Sequence, residues 1–136
     1  MELLTPVSPG ELIDKLTILD IKSERISDAG KRANVVHEQA LLERTWQESG
    51  LETESIRSLR GELKRINEQL WDIEDDIRVC EKNRDFGDRF IELARAVYVT
   101  NDKRAAVKKR INTELGSAIV EEKSYQDYRS GETGVD

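Results

Sequence analysis

Residues 56–80 read IRSLRGELKRINEQLWDIEDDIRVC. Within them Ile56, Leu59, Leu63, Ile66, Leu70, Ile73, Ile77 and Cys80 recur at alternating spacings of three and four. A helix carrying such a heptad stripe must bury it against another helix. The stretch therefore predicts an all-α protein, an antiparallel helical hairpin or bundle with a coiled-coil seam. The same seam is the expected core or interface, with Leu70 fully buried. It says little about chemistry, because apolar periodicity serves any function equally well.

Upstream, Ser8-Pro9-Gly10-Glu11 is a helix start: Ser8 can cap, Pro9 suits the first helical position, and Glu11 stands where a capping box places its carboxylate. The helix is predicted to run to about Ile26. Leu12, Leu16, Leu19 and Ile26 are in heptad register, and Ile13, Ile18 and Ile21 widen that face enough to place the helix at the centre of a bundle. Near Asp28 two readings stand. Asp28 caps a second helix with a bend at Gly30, or one helix continues through Ala29, Ala33, Val36 and Ala40. A break or kink is favoured. Gly50 is a C-terminal stop, and the seam helix follows from about Glu54 to Asn83, ~45 Å long at ~1.5 Å per residue.

Arg84-Asp85 reads as a turn, and a fourth helix is expected from Phe86 to Val99. Asn101-Asp102 reads as the cap of a fifth, ending near Leu115, so two shorter helices would pack on the seam. The simplest topology joins the first two helices, as one unit, to the seam helix through a connection near residue 51. Residue 26 would then lie near residue 76, and residue 12 near residue 90. Residues 1–128 form one domain, and the polar, glycine-containing stretch 129–136 is expected to be a disordered tail.

Composition bounds the function classes. The chain has 136 residues, 37% charged and 5% aromatic, with a net charge of −6. That balance suits solvated helices and disfavours general nucleic-acid binding, which needs excess cation. The single cysteine cannot form an internal disulfide, no stretch approaches the ~20 apolar residues of a membrane span, and the N-terminus lacks a signal-peptide pattern. The cytoplasm is the expected compartment.

Two charged clusters are candidate sites. Glu68, Asp72 and Asp75 or Asp76 share one face of the seam helix, where like charges repel unless a cation compensates them. Oxygen ligands of this kind suit a divalent ion, so magnesium or manganese at Asp72, Asp75 and Asp76 is the alternative to the expectation of no cofactor. Glu11-x-x-Asp14 offers a similar pair, but the hairpin register sets Asp14 level with residue 88. The plainer reading is a solvated acidic face matched by arginines and lysines. The second cluster is Lys103-Arg104-Ala105-Ala106-Val107-Lys108-Lys109-Arg110. Arg104 and Lys108 share a face just inside the expected start of helix five, where dipole and cations would favour an anion. Arg95 and Tyr98 are further candidates. Its competing reading is charge balance against the acidic stretch 68–76.

His37 and Cys80 stand alone, too few for a zinc site, and read as packing or surface residues. Trp71 beside the seam reads as packing. Nucleotide-binding loops and hydrolase elbows are absent.

The stretches SPGELIDKLTILDIKSERI (8–26), LWDIEDDIR (70–78), FIELARAVYVTNDKRAAVKKRIN (90–112) and EEKSY (121–125) resemble a family of small uncharacterised bacterial helical proteins, a domain of unknown function. The resemblance spans about residues 5–128. It implies a soluble helical protein of bacterial or phage origin and assigns no activity.

The expected function is a non-catalytic helical interaction module that self-associates, a homodimer through leftover apolar helix surface. The alternative is a binding protein or enzyme for a phosphorylated or otherwise anionic small molecule, using Arg104 and Lys108 with Arg95 and Tyr98. RNA binding through the basic helix ranks third, given the net charge and scarce aromatics.

Overall fold

Three of the helices begin where a side-chain oxygen takes an amide that the first turn leaves unpaired. Ser8 Oγ accepts from the Glu11 N–H at 3.2 Å, Asp28 Oδ2 from Lys31 at 2.9 Å, and Thr53 Oγ1 from Ile56 at 3.1 Å. The computed structural model describes residues 1–129, and among them the helices are α1 (Pro9–Arg25), α2 (Ala29–Ser49), α3 (Glu54–Lys82) and α4 (Asp88–Glu114). Gly50, at φ +67°, closes α2 in a left-handed turn that residues with a Cβ rarely adopt. The tail expected from Arg129 onward lies outside the described residues, apart from Arg129 itself.

The chain forms an all-α bundle, arranged as two hairpins rather than one. The break at residues 26–28 reverses the chain, so α2 runs back along α1: Gln39 Nε2 donates to Asp20 Oδ1 at 2.6 Å, and Arg32 Nε to the Ser23 carbonyl at 2.9 Å. The expected single unit of helices one and two therefore does not lie along α3. The partner of α3 is α4, antiparallel to it, with Asp76 opposite Arg89 (3.3 Å), Glu62 opposite Arg110 (3.3 Å) and Ser55 opposite Glu114 (2.7 Å). Helix α1 packs against all three others, as its wide apolar face requires.

A second correction concerns the helices after the seam. The expected helices four and five are one continuous helix, and Asn101 and Asp102 sit inside it rather than capping a new start. Their side chains do not compete with the helix backbone because they have partners elsewhere. Asp102 pairs with Lys123 and Arg129, and Asn101 Oδ1 accepts from Arg104 at 3.5 Å. Alanines at 94, 96, 105 and 106 favour continuation on both sides.

Ile13 and Leu16 of α1, Trp46 of α2, Ile56, Leu59, Leu63 and Ile66 of α3, and Val107 and Ile111 of α4 form one buried cluster. The seam itself divides. Its first four members are buried, and Cys80 is a buried free thiol, but Leu70, Ile73 and Ile77 are only partly covered. Full burial of Leu70 is thus not observed. The reason is length: α1 has 17 residues and α3 has 29, about 25 Å against about 44 Å. At the end of α1, Arg25 meets Asp72 at 2.5 Å. Beyond that point α3 has α4 as its helical neighbour.

Candidate functional site

Where α1 crosses α4 the contact is polar. The two helices run antiparallel, pairing Gly10 with Asn112, Glu11 with Lys108 and Asp14 with Arg104. Gly10 permits this approach, because a Cβ there would stand 2.7 Å from the Lys108 carbonyl oxygen and 2.9 Å from Asn112 Oδ1. Asn112 Oδ1 accepts from the Gly10 N–H at 2.7 Å, satisfying another first-turn amide of α1.

Asp14 is 1% exposed. Arg104 grips it with two parallel bonds, Nε to Oδ1 at 3.0 Å and Nη2 to Oδ2 at 2.5 Å, the fork geometry that makes arginine–carboxylate pairs strong. From α3, the buried Asn67 amide donates to Asp14 Oδ1 and to Thr17 Oγ1, both at 2.9 Å, and Thr17 Oγ1 donates to the Asp14 carbonyl at 2.8 Å. Among the described residues no buried side-chain polar atom lacks a partner. The bonds from Arg104 to Asp14 raise the guanidinium's pKa, outweighing the effect of burial.

One turn on, Lys108 Nζ lies 2.6 Å from Glu11 Oε2 and 3.2 Å from Glu121 Oε2. Burial pulls its ammonium pKa down, but the bonds to Glu11 and Glu121 and the nearby Asp14 charge win, and the net shift is upward. The Glu11 carboxylate is therefore spent on Lys108 rather than on a capping box. Glu121 belongs to the non-helical strap that follows α4. Ser8 Oγ donates to its Oε1 at 2.5 Å. That bond, with Lys108, holds Glu121 below the ordinary 4.5 despite an opposing effect of burial.

The strap is tied down further along. Lys123 pairs with Asp102, Arg129 Nη2 lies 3.8 Å from the same carboxylate, and the Tyr128 ring packs 5.0 Å from Tyr98. Burial would raise the Asp102 pKa, yet the bonds from Lys123 and Tyr128 lower it on balance. Between strap and α4 opens a cleft of about 870 Å³, walled by Tyr98, Asn101, Arg104, Lys108, Lys109 and Asn112 from the helix and by Glu121, Lys123 and Tyr125 from the strap. This volume lies in the range of small-molecule sites.

Of the anion-site candidates, the structure gathers Arg104, Lys108 and Tyr98 on this cleft, while Arg95 is exposed and outside its wall. The helix N-terminus expected beside them does not exist, since α4 runs through. Their ionic partners lie on α1 and the strap, not in the 68–76 stretch. Asp72 pairs with Arg25, Asp76 with Arg89, and Asp75 is exposed. Among the described residues no group of three or more His, Cys, Asp or Glu is disposed to hold a metal ion. His37 is exposed on α2, and Arg25 lies over the Trp71 ring at 5.9 Å.

Asp14, Thr17, Asn67, Asn112 and Glu121 were not singled out as one site from sequence. A signal existed for three of them. Asp14 and Thr17 interrupt the apolar face of α1, and Asn67 directly follows seam residue Ile66. Polar residues at such positions must find buried partners. No curated protein and no solved structure matches the chain. Its sequence does match, over residues 3–133, the model of DUF6165, a family of unknown function, and the chain belongs to that family.

Proposed function

We propose that this chain binds an anionic small molecule in the cleft between α4 and the strap. The observation that carries the reading is a cleft of about 870 Å³ whose wall sets Arg104, Lys108, Lys109 and Lys123 against Asp102, Glu121 and Glu122, with Arg104 anchored from behind by a buried carboxylate. A guanidinium and ammonium groups recognise oxyanions through charge-assisted bonds. Fixing them in advance lowers the ordering cost of binding. Tyr98 and Tyr125 offer ring faces, and Asn101 and Asn112 offer amides, for the uncharged part of such a molecule.

Isothermal titration calorimetry with phosphate, pyrophosphate, nucleotides, sugar phosphates and dicarboxylates tests the reading. At least one should bind, and Lys108→Met should weaken it by about tenfold or more, since a bond to a charged group contributes ~1.5–3 kcal/mol. No heat from any of these compounds, or equal affinity in the variant, contradicts the proposal.

A second reading, self-association, is favoured by the far end of the α3–α4 hairpin. Over residues 73–97 only Cys80 and Leu93 are buried, and Val79, Phe86 and Ile91 are each at least half exposed. Glu74, Asp75, Asp76, Glu81, Asp85, Asp88 and Glu92 stand there among Arg78, Lys82, Arg84, Arg89 and Arg95, a mixture of signs that suits a second copy of the same hairpin. Two such ends laid together would complete a four-helix arrangement about a two-fold axis. Analytical ultracentrifugation at micromolar protein should give twice 15.6 kDa, reverting to monomer in Phe86→Glu; a monomeric wild type removes this reading.

A further inference from the structure

We infer that Glu121 is an internal substitute for the ligand's anionic group, and that binding displaces its carboxylate from Ser8 and Lys108 while the tie to Asp102 keeps Lys123 and Tyr125 on the cleft. The inference rests on the cleft being an anion site. Glu121 reaches the head of α1 from a segment without regular structure and docks its carboxylate on Ser8 Oγ at 2.5 Å and Lys108 Nζ at 3.2 Å. A hydroxyl and a half-buried ammonium are the donors a phosphate or carboxylate oxygen would use. Ser8 is 2% exposed with Glu121 in place, and Glu121 is the acceptor of its hydroxyl proton.

Charge counting favours exchange over addition. Around this point Glu11, Asp14 and Glu121 face Arg104 and Lys108, leaving one negative charge in excess. A further anion would bring the excess to two in a partly desolvated place, where like charges are costly. An incoming group of single negative charge that takes the place of Glu121 leaves the balance unchanged, and one of double charge adds one negative charge rather than two. The chain around Glu121 can yield because the described residues beyond Ser117, whose N–H still donates to the Asn112 carbonyl at 2.9 Å, belong to no helix or sheet. Beyond Glu121, its Lys123, Tyr128 and Arg129 hold to Asp102, with the Tyr128 ring also against Tyr98.

The ligand class is thus an oxyanion, phosphate or carboxylate, small enough to reach Lys108 beneath the strap. Full-length wild type, Glu121→Gln and Glu122→Gln are titrated with inorganic phosphate and, separately, with succinate. Glu121→Gln should bind one of them about tenfold more tightly than wild type, as removing a competitor that holds the site about ten to one requires. The anion that gains identifies the chemistry. Glu122→Gln makes the same charge change one residue away, at another residue of the cleft wall, and should gain clearly less than Glu121→Gln. Backbone NMR supplies the second readout: on saturating wild type with the anion, the signals of residues 118–122 should move toward random-coil positions while those of residues 123–129 hold.

Equal gains in both variants, or signals of residues 118–122 that keep their positions, would overturn the displacement while leaving the cleft a binding site. Binding in wild type without a gain in Glu121→Gln does the same. Absence of binding to all three proteins overturns the displacement, and if the wider compound series also fails, the anion site goes with it.

Discussion

Helix α4 carries two adjoining stripes built from different materials. Val107 and Ile111 are buried in the common core with residues of α1, α2 and α3. Beside them Arg104, Lys108 and Asn112 meet α1 through ion pairs and hydrogen bonds, around an aspartate that is 1% exposed. The apolar stripe needs no further explanation, since burial of that kind drives folding. The polar stripe does. Buried ion pairs are often no more stabilising than apolar side chains of the same volume, so stability alone gives little reason to place an Asp14–Arg104–Asn67 network where leucines would serve. Its opening onto a cleft supplies a reason.

The largest expected effect separates the stripes by what a deletion leaves behind. Arg104→Ala strands a buried carboxylate and should destabilise the fold by ~3–5 kcal/mol, measured by urea denaturation. A loss under about 1 kcal/mol would mean that Asp14 is compensated by other groups and that the pair is incidental.

Next come the two halves of the α3 seam. Leu63→Ala, at a position 0% exposed, should cost ~2–5 kcal/mol. Leu70→Ala, at the partly covered position beyond the reach of α1, should cost roughly half as much. Thermal melts of both variants give the comparison. Equal losses would indicate that the far half of the seam is covered in solution by a second copy.

A smaller, local effect separates strap from bundle by pH. Glu121 and Asp102 are both held below their ordinary values of 4.5 and 3.8. A carboxylate depressed in the folded state contributes stability above its unfolded pKa and loses it as pH falls through the folded value. The strap should therefore loosen as pH drops below about 4, ahead of α1–α4. Backbone NMR signals of residues 117–129 should move toward random-coil positions first, and simultaneous loss of all signals would refute independent strap release.

Much of the helical content was legible because it rests on local rules. The Ser8 start, the Gly50 stop and the break near Asp28 follow from capping and turn chemistry that a few residues determine. The arrangement was less legible. Asn101-Asp102 has the look of a cap, and only the strap, distant in sequence, explains why those side chains leave the helix backbone undisturbed. The hairpin register failed because a break predicts that the chain bends and not how far. With α2 reversed onto α1, Asp14 moved from a supposed level with residue 88 to Arg104. Among the residues that wall the cleft, Arg104, Lys108 and Tyr98 stand out in the sequence. The rest depends on a contact between Glu121 and the head of α1 that no periodicity encodes.

The most direct test of the central claim, that the polar stripe exists to bind an anion, replaces the network with apolar residues of similar size. In Asp14→Leu/Asn67→Leu/Arg104→Met the melting temperature should stay near or above that of wild type, because the buried charges and their desolvation disappear together. Phosphate or succinate, whichever binds, should raise the wild-type melting temperature by several degrees, in line with the ~2.7 kcal/mol gained at one hundred times the dissociation constant, and should raise that of the triple variant, which keeps Ser8 and Lys108 but lacks Arg104, by clearly less. An equal rise in both proteins would place the anion elsewhere, and no rise in wild type at any concentration would contradict the account.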